Sequence, residues 1–150
     1  MPQSLIFVVI HLIFSTKNHR PFLNVEVETS VHAYLATVSR NIGCECYRVG
    51  GVEDHVHLAI RLSRTVTIAE LVEQLKTASS KWVKTQSTDL NDFSWQRGYG
   101  CSSTGPKDLD ALVDYIDRQK EHHEKRTFQD EFRMLLNKYG VEYDEAYVWD

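Results

Sequence analysis

An α+β fold, an antiparallel sheet with two helices on one face and a further C-terminal helix and tail, is predicted from three observations. The chain is 150 residues long, the size of one domain spanning 1–150. Runs of β-branched and aromatic residues alternate with helical stripes in the order strand, helix, strand, strand, helix, strand, then helices. Hydrophobic residues at 42% and charged residues at 25%, with only 7 Gly and 3 Pro, exclude disorder and fibrous repeats.

Ser4 to Phe14, apolar from Leu5 onward apart from His11, reads as a strand covered on both faces. The run is too short to span a membrane and lacks both a basic leader and a small-residue cleavage site, so no membrane association is expected. A polar loop, Ser15 to Pro21, leads to a helix from about Asn24, with Val31, Leu35, Val38 and Ile42 on one stripe and Gly43 at its end. Cys44 to Val49 and His55 to Leu62 read as two strands of a hairpin turned at Gly50-Gly51. Thr67 and Glu70 have capping-box spacing, and Ile68, Leu71, Val72, Leu75, Ser79, Trp82 and Val83 continue as a second helical stripe. Trp95 to Thr104 is a fourth strand entered through Gly98-Tyr99-Gly100, and Gly105-Pro106 precedes a third helix from Asp108 to about Lys125. A short helix, Thr127 to Tyr139, stops at Gly140. This order is that of the ferredoxin-like (RRM-like) split βαβ plan.

The formal net charge is −4, from 17 Lys and Arg against 21 Asp and Glu. Asp130, Glu131, Glu142, Asp144, Glu145 and Asp150 face only Arg133 and Lys138 in the tail, which leaves residues 1–127 neutral, so a nucleic-acid partner is not excluded. Cys44, Cys46 and Cys101 form no disulfide or zinc framework, and Cys44 and Cys46 read as buried packing; a reducing, cytoplasmic setting is expected.

Period-two geometry places Val56, Leu58, Ile60 and Leu62 on the core face of the third strand and His55, His57, Ala59 and Arg61 on the other. Two imidazoles so placed either share one metal ion or are a solvated pair. On the third helix Tyr115, Gln119 and His122 flank the apolar stripe of Leu109, Leu112, Val113 and Ile116. One turn, about 6 Å, separates Tyr115 from Gln119, so a metal on the Gln119 carbonyl oxygen would lie within reach of the phenol. The alternative is a Tyr115 ring at the core boundary and an exposed Gln119, with His122-His123 as a solvated helix end.

Asp54-His55-Val56-His57-Leu58 and Tyr115-Ile116-Asp117-Arg118-Gln119 resemble the paired-histidine and tyrosine-x-x-x-glutamine motifs of the single-tyrosine HUH transposases of small bacterial insertion sequences. The resemblance extends over His11 to Lys17, Leu75-Lys76, Ser79-Ser80 and Trp95 to Gly100, and so over nearly the whole chain. The tail from Phe128 is similar to that of a subgroup including relatives domesticated to chromosomal palindromic repeats. The resemblance implies a homodimeric DNA strand transferase acting on single-stranded DNA with hairpins. Tyr115 would be the catalytic nucleophile, attaching to the 5′ phosphate and releasing a 3′ hydroxyl. His55, His57 and Gln119 would hold Mg²⁺ or Mn²⁺, a choice suited to mixed nitrogen and oxygen ligation. Each site would combine the histidines of one subunit with the tyrosine helix of the other. Asp54 orients a histidine or is a surface carboxylate.

Lys76, Ser80 and Lys84 share one flank of the second helix, and Lys17, Arg20 and Arg97 sit in loops; these are candidate DNA contacts, against the ordinary reading of solvated surface residues. Three functions follow in turn: a transposase, a domesticated palindrome-specific single-strand nuclease, and a non-catalytic ferredoxin-like nucleic-acid-binding module.

Overall fold

The computed structural model describes residues 2–150. Four strands, β1 (Val9–Ser15), β2 (Glu45–Val52), β3 (His55–Arg61) and β4 (Gly100–Thr104), form one sheet in the order β2-β3-β1-β4 with every neighbour antiparallel. The expected ferredoxin-like architecture is present. Ile10, Leu12 and Phe14 of β1 and Val56, Leu58 and Ile60 of β3 face a core completed by α1 (Val25–Asn41) and α2 (Ile68–Lys84). The other face of the sheet is covered as well. Ala59 packs with Leu112 and Ile116 of α3 (Leu109–Asp117), and Ile13 packs with Phe128, Phe132, Leu135 and Leu136 of α5 (Phe128–Lys138). The short α4 (Gln119–His123) lies between them.

Local chemistry explains the helix starts. Asn24 accepts from the backbone N–H groups of Glu26 and Val27, Thr67 and Glu70 form the reciprocal capping box, and Thr127 accepts from Asp130 N–H. Among the described residues, no helix is long and apolar enough to cross a membrane.

Four expectations change. The β1 ladder begins at Val9, opposite Arg61 on one side and Thr104 on the other; Val8 O still accepts from Leu62 N–H, and Leu5 stays exposed. Gly50 and Gly51 lie inside β2, and the chain reverses at Glu53-Asp54. A Cβ on Gly50 would fall 2.7 Å from Ile116 Cγ2 and 2.8 Å from Ile116 O, so this glycine admits α3 rather than making the turn. The fourth strand is shorter than Trp95 to Thr104, Trp95 making only an isolated bridge to Thr16. The third helix is interrupted at Arg118, whose φ of −97° and ψ of 16° are not helical, so Tyr115 and Gln119 lie on separate segments.

Gly100 gives α5 its seat on the sheet, because a Cβ there would come within 2.5 Å of the buried Phe132 ring at Cε1. Gly100→Ala should therefore cost about 1–3 kcal/mol of stability in urea denaturation, by overpacking. Phe132→Leu in the same chain should make that added cost smaller. Equal costs of Gly100→Ala in both backgrounds would show that the two residues do not press on each other.

Candidate active site

The non-core face of β3 is enclosed rather than solvated: His55 and His57 are both 0% exposed. They meet a carboxylate that sequence reasoning assigned only to the acidic tail. Glu131 stands on the apolar side of α5, beside Phe128, Phe132 and Leu135, and is itself 0% exposed. Its Oε1 lies 3.0 Å from His57 Nε2, 3.1 Å from His123 Nε2 and 3.4 Å from His55 Nε2. Its Oε2 accepts from the Tyr115 hydroxyl and, at 3.1 Å, from Gln119 Nε2. The Gln119 carbonyl oxygen lies 3.0 Å from His55 Nε2, and Asp54 Oδ1 lies 2.7 Å from His55 Nδ1.

Tyr115, His55, His57 and Gln119 are thus brought together within one chain. The partner-derived tyrosine implied by the resemblance is not needed to complete this set. His123, expected at a solvated helix end, turns inward onto Glu131. Two signals could have found these partners. Glu131 is a charge inside an apolar helical stripe, and a buried charge needs pairing. His11, 1% exposed, sits inside an apolar strand and is 2.8 Å from His57 Nδ1.

The electrostatics divide the imidazoles. Burial disfavours the charged form of His55, but the Asp54 and Glu131 carboxylates outweigh it and raise the pKa to about 9. Burial lowers His57 to about 4, with the positive His55 acting in the same direction. Burial would raise Glu131, yet hydrogen bonds from His123, His55 and His57 hold it well below the carboxylate range. The Tyr115 phenol is pushed well above its usual value by burial and then by the Glu131 charge.

The donor set fits a divalent cation. Nitrogen atoms of His55 and His57 and an oxygen of Glu131 lie within 4.8 Å of one another, and two of the gaps, 3.0 and 3.4 Å, approach the roughly 3 Å between adjacent ligands of an octahedral ion. Gln119 adds a neutral oxygen at the same point.

The other expected contacts are dispersed. Lys76 Nζ donates to the carbonyl oxygens of Gln96, Arg97 and Gly98 at 2.7–3.1 Å, which ties down the loop before β4 and uses all three of its N–H groups; it is not free for a phosphate. Ser80 and Lys84 lie on α2, whose packing face is on the side of the sheet away from the histidines. The loop carrying Lys17 and Arg20 borders the site, since Thr16 N–H donates to Asp54 O; Lys17 is exposed and Arg20 pairs with Asp92 at 2.8 Å. Arg97 is exposed. Cys44 and Cys46 are buried, and Cys44, Cys46 and Cys101 are all free.

Residues 6–119 match the family described as "Transposase IS200 like". Two solved structures share the fold. A proposed transposase from Deinococcus radiodurans R1 is 21% identical, with 79% of this chain and 98% of that chain covered and a TM-score of 0.62. A REP-associated tyrosine transposase bound to a REP hairpin is 17% identical, with 82% of this chain and 73% of that chain covered and a TM-score of 0.60. No curated protein matches the chain.

In chelator, stability should fall as the pH drops from 6.5 towards 4. Burial lowers His57 to about 4 and His11 to about 3, against 6.5 for a free imidazole. Below 6.5 the unfolded chain therefore binds protons that the folded chain excludes. Each histidine contributes at most about 1.4 kcal/mol per pH unit in that window. Urea denaturation across the range measures the slope. His11→Phe should flatten it, and an unchanged slope would mean that His11 is not held neutral.

Proposed function

We propose that this chain, which belongs to the IS200-like transposase family, cleaves and rejoins single-stranded DNA at hairpin-flanked sites through a 5′-phosphotyrosine formed on Tyr115. The observation that carries this reading is the convergence of the Tyr115 hydroxyl, both β3 histidines and Gln119 on the buried carboxylate of Glu131. A pure binding module has no need of a phenol held against a set of metal-ligating groups. The solved relative bound to a hairpin supports hairpin DNA as the partner; we assign the reaction to the cytoplasm.

His55, His57, Glu131 and Gln119 would hold Mg²⁺ or Mn²⁺, with Asp54 orienting His55 from behind. A divalent ion bound there supplies Lewis acidity to a phosphodiester oxygen and offsets the Glu131 charge. Tyr115 provides the attacking oxygen: the Oη–P bond forms, the P–O3′ bond breaks, the phenol gives up its proton and the departing O3′ gains one. The reverse attack by a 3′ hydroxyl reseals the strand, so no nucleotide cofactor is required. Until then Glu131 Oε2 holds the phenol proton in place. Lys17, Arg20 and Arg97 are the cations we assign to the DNA backbone, with Ser80 and Lys84 as more distant contacts.

Because Tyr115 meets the histidines of its own chain, we infer a site complete within one subunit. A second reading, a homodimer in which α3 crosses to the partner, is favoured by Gly105-Pro106 at the root of that helix. Mobile transposase and domesticated palindrome-specific nuclease would use the same site chemistry.

Incubation with labelled hairpin oligonucleotides and Mn²⁺ should give an adduct that survives denaturation, maps to Tyr115 and disappears in Tyr115→Phe. An adduct persisting in Tyr115→Phe would remove the assignment. Mixed Tyr115→Phe and His57→Ala chains should not recover cleavage; recovery in a verified heterodimer would establish the exchanged arrangement instead.

A further inference from the structure

His55 has an evident support in Asp54, whereas the supporting group of His57 is another imidazole. His11 Nε2 lies 2.8 Å from His57 Nδ1, and the two rings stack at 5.1 Å between centroids with 27° between planes. Backbone register fixes this approach. His11 pairs with Ala59 and His57 with Ile13 across the antiparallel β1–β3 ladder, so the two imidazoles are diagonal neighbours on one face. His11 is 1% exposed, and its Nδ1 has no hydrogen-bond partner among the described residues. A buried polar atom left unpaired destabilises the fold, so packing alone does not account for a histidine here.

We propose that His11 is a positioning residue for His57, holding its Nδ1 so that its Nε2 is aimed into the carboxylate and metal site. The inference rests on the metal reading above for its functional consequence. The polarity of the His11–His57 bond follows from what His57 Nε2 faces. Facing Glu131, that nitrogen carries its proton and donates; Nδ1 is then bare and accepts from His11 Nε2–H. When Nε2 instead presents its lone pair to a cation, the His57 proton resides on Nδ1 and is donated to a bare His11 Nε2, while His11 carries its own proton on Nδ1. Each neutral ring keeps one proton, and the hydrogen bond survives with its direction reversed. His11 can serve both states because imidazole both donates and accepts. A phenylalanine can do neither, whereas a glutamine places its amide near the former Nε2 and can do both.

The test compares wild type, His11→Phe and His11→Gln by Mn²⁺ titration calorimetry and by long-range ¹H–¹⁵N spectra of the imidazoles, without metal and with Mg²⁺. His11→Phe should bind Mn²⁺ about 10- to 100-fold more weakly, as expected for loss of a group supporting a ligand. His11→Gln should stay much closer to wild type. Metal-free wild type should show both His11 and His57 protonated at Nε2, and loading should move both protons to Nδ1. Wild-type affinity in His11→Phe, or a metal-free His57 protonated at Nδ1, would overturn the proposal. If His11→Phe fails to fold, the His11→Gln titration and the wild-type spectra decide it. Absence of Mn²⁺ binding to wild type would instead defeat the metal reading, and the metal-free spectra would still decide whether His11 Nε2–H holds His57.

Discussion

The enclosed carboxylate of Glu131 is the contact on which the second face of the sheet depends. A carboxylate removed from water costs several kcal/mol unless donors replace the lost hydration. Here they come from β3, α3 and α4 as well as from bonds that reach across the layer: two strand histidines, His123, Gln119 and the Tyr115 hydroxyl. Ile13, Phe128, Phe132, Leu135 and Leu136 pack beside this cluster and keep the surroundings apolar. The same low-dielectric surroundings that strengthen the hydrogen bonds also oppose ionisation of Tyr115, so the burial that orders the cluster and the Glu131 charge within it both tighten the phenol's hold on its proton.

Much of the frame was legible because local chemistry and long-range packing agree. The alternation along His55 to Leu62 separates the two faces of the sheet, and the Thr67 and Glu70 spacing starts α2 where the capping box forms. The departures occur where a distant element decides. Gly50-Gly51 looks like a turn in isolation, yet Gly50 accommodates the backbone of Ile116, more than sixty positions away in sequence and invisible to any local rule. Lys76 has the spacing of a surface cation, but the carbonyls of Gln96 to Gly98 gather around it, and burial lowers its pKa to about 8. The histidine pair and Tyr115-x-x-x-Gln119 stood out by residue type. Glu131 was obscured by its acidic neighbours, because composition counts a carboxylate without saying which way it points.

Folding also changes what the acidic tail means. Glu131 is directed inward, while Asp130 and Glu145 both lie against Arg133, the second through two hydrogen bonds of 2.6 and 3.1 Å. Arg133 also lies 5.0 Å from the centre of the Trp149 ring, so the chain end is drawn against α5. Glu131 is thus withdrawn from the surface, while Asp130 and Glu145 share the one Arg133 that the formal charge already counts.

The break at Arg118 changes how Tyr115 and Gln119 communicate. Along an uninterrupted helix, residues one turn apart move as parts of a single rod, and a rotation applied at one is delivered to the other through the backbone ladder. Here the ladder is interrupted between them, yet both side chains end on Glu131 Oε2. Their mechanical linkage therefore passes sideways through a third helix, and the stiffness of the pair is a property of that shared oxygen rather than of the four-residue interval in the sequence.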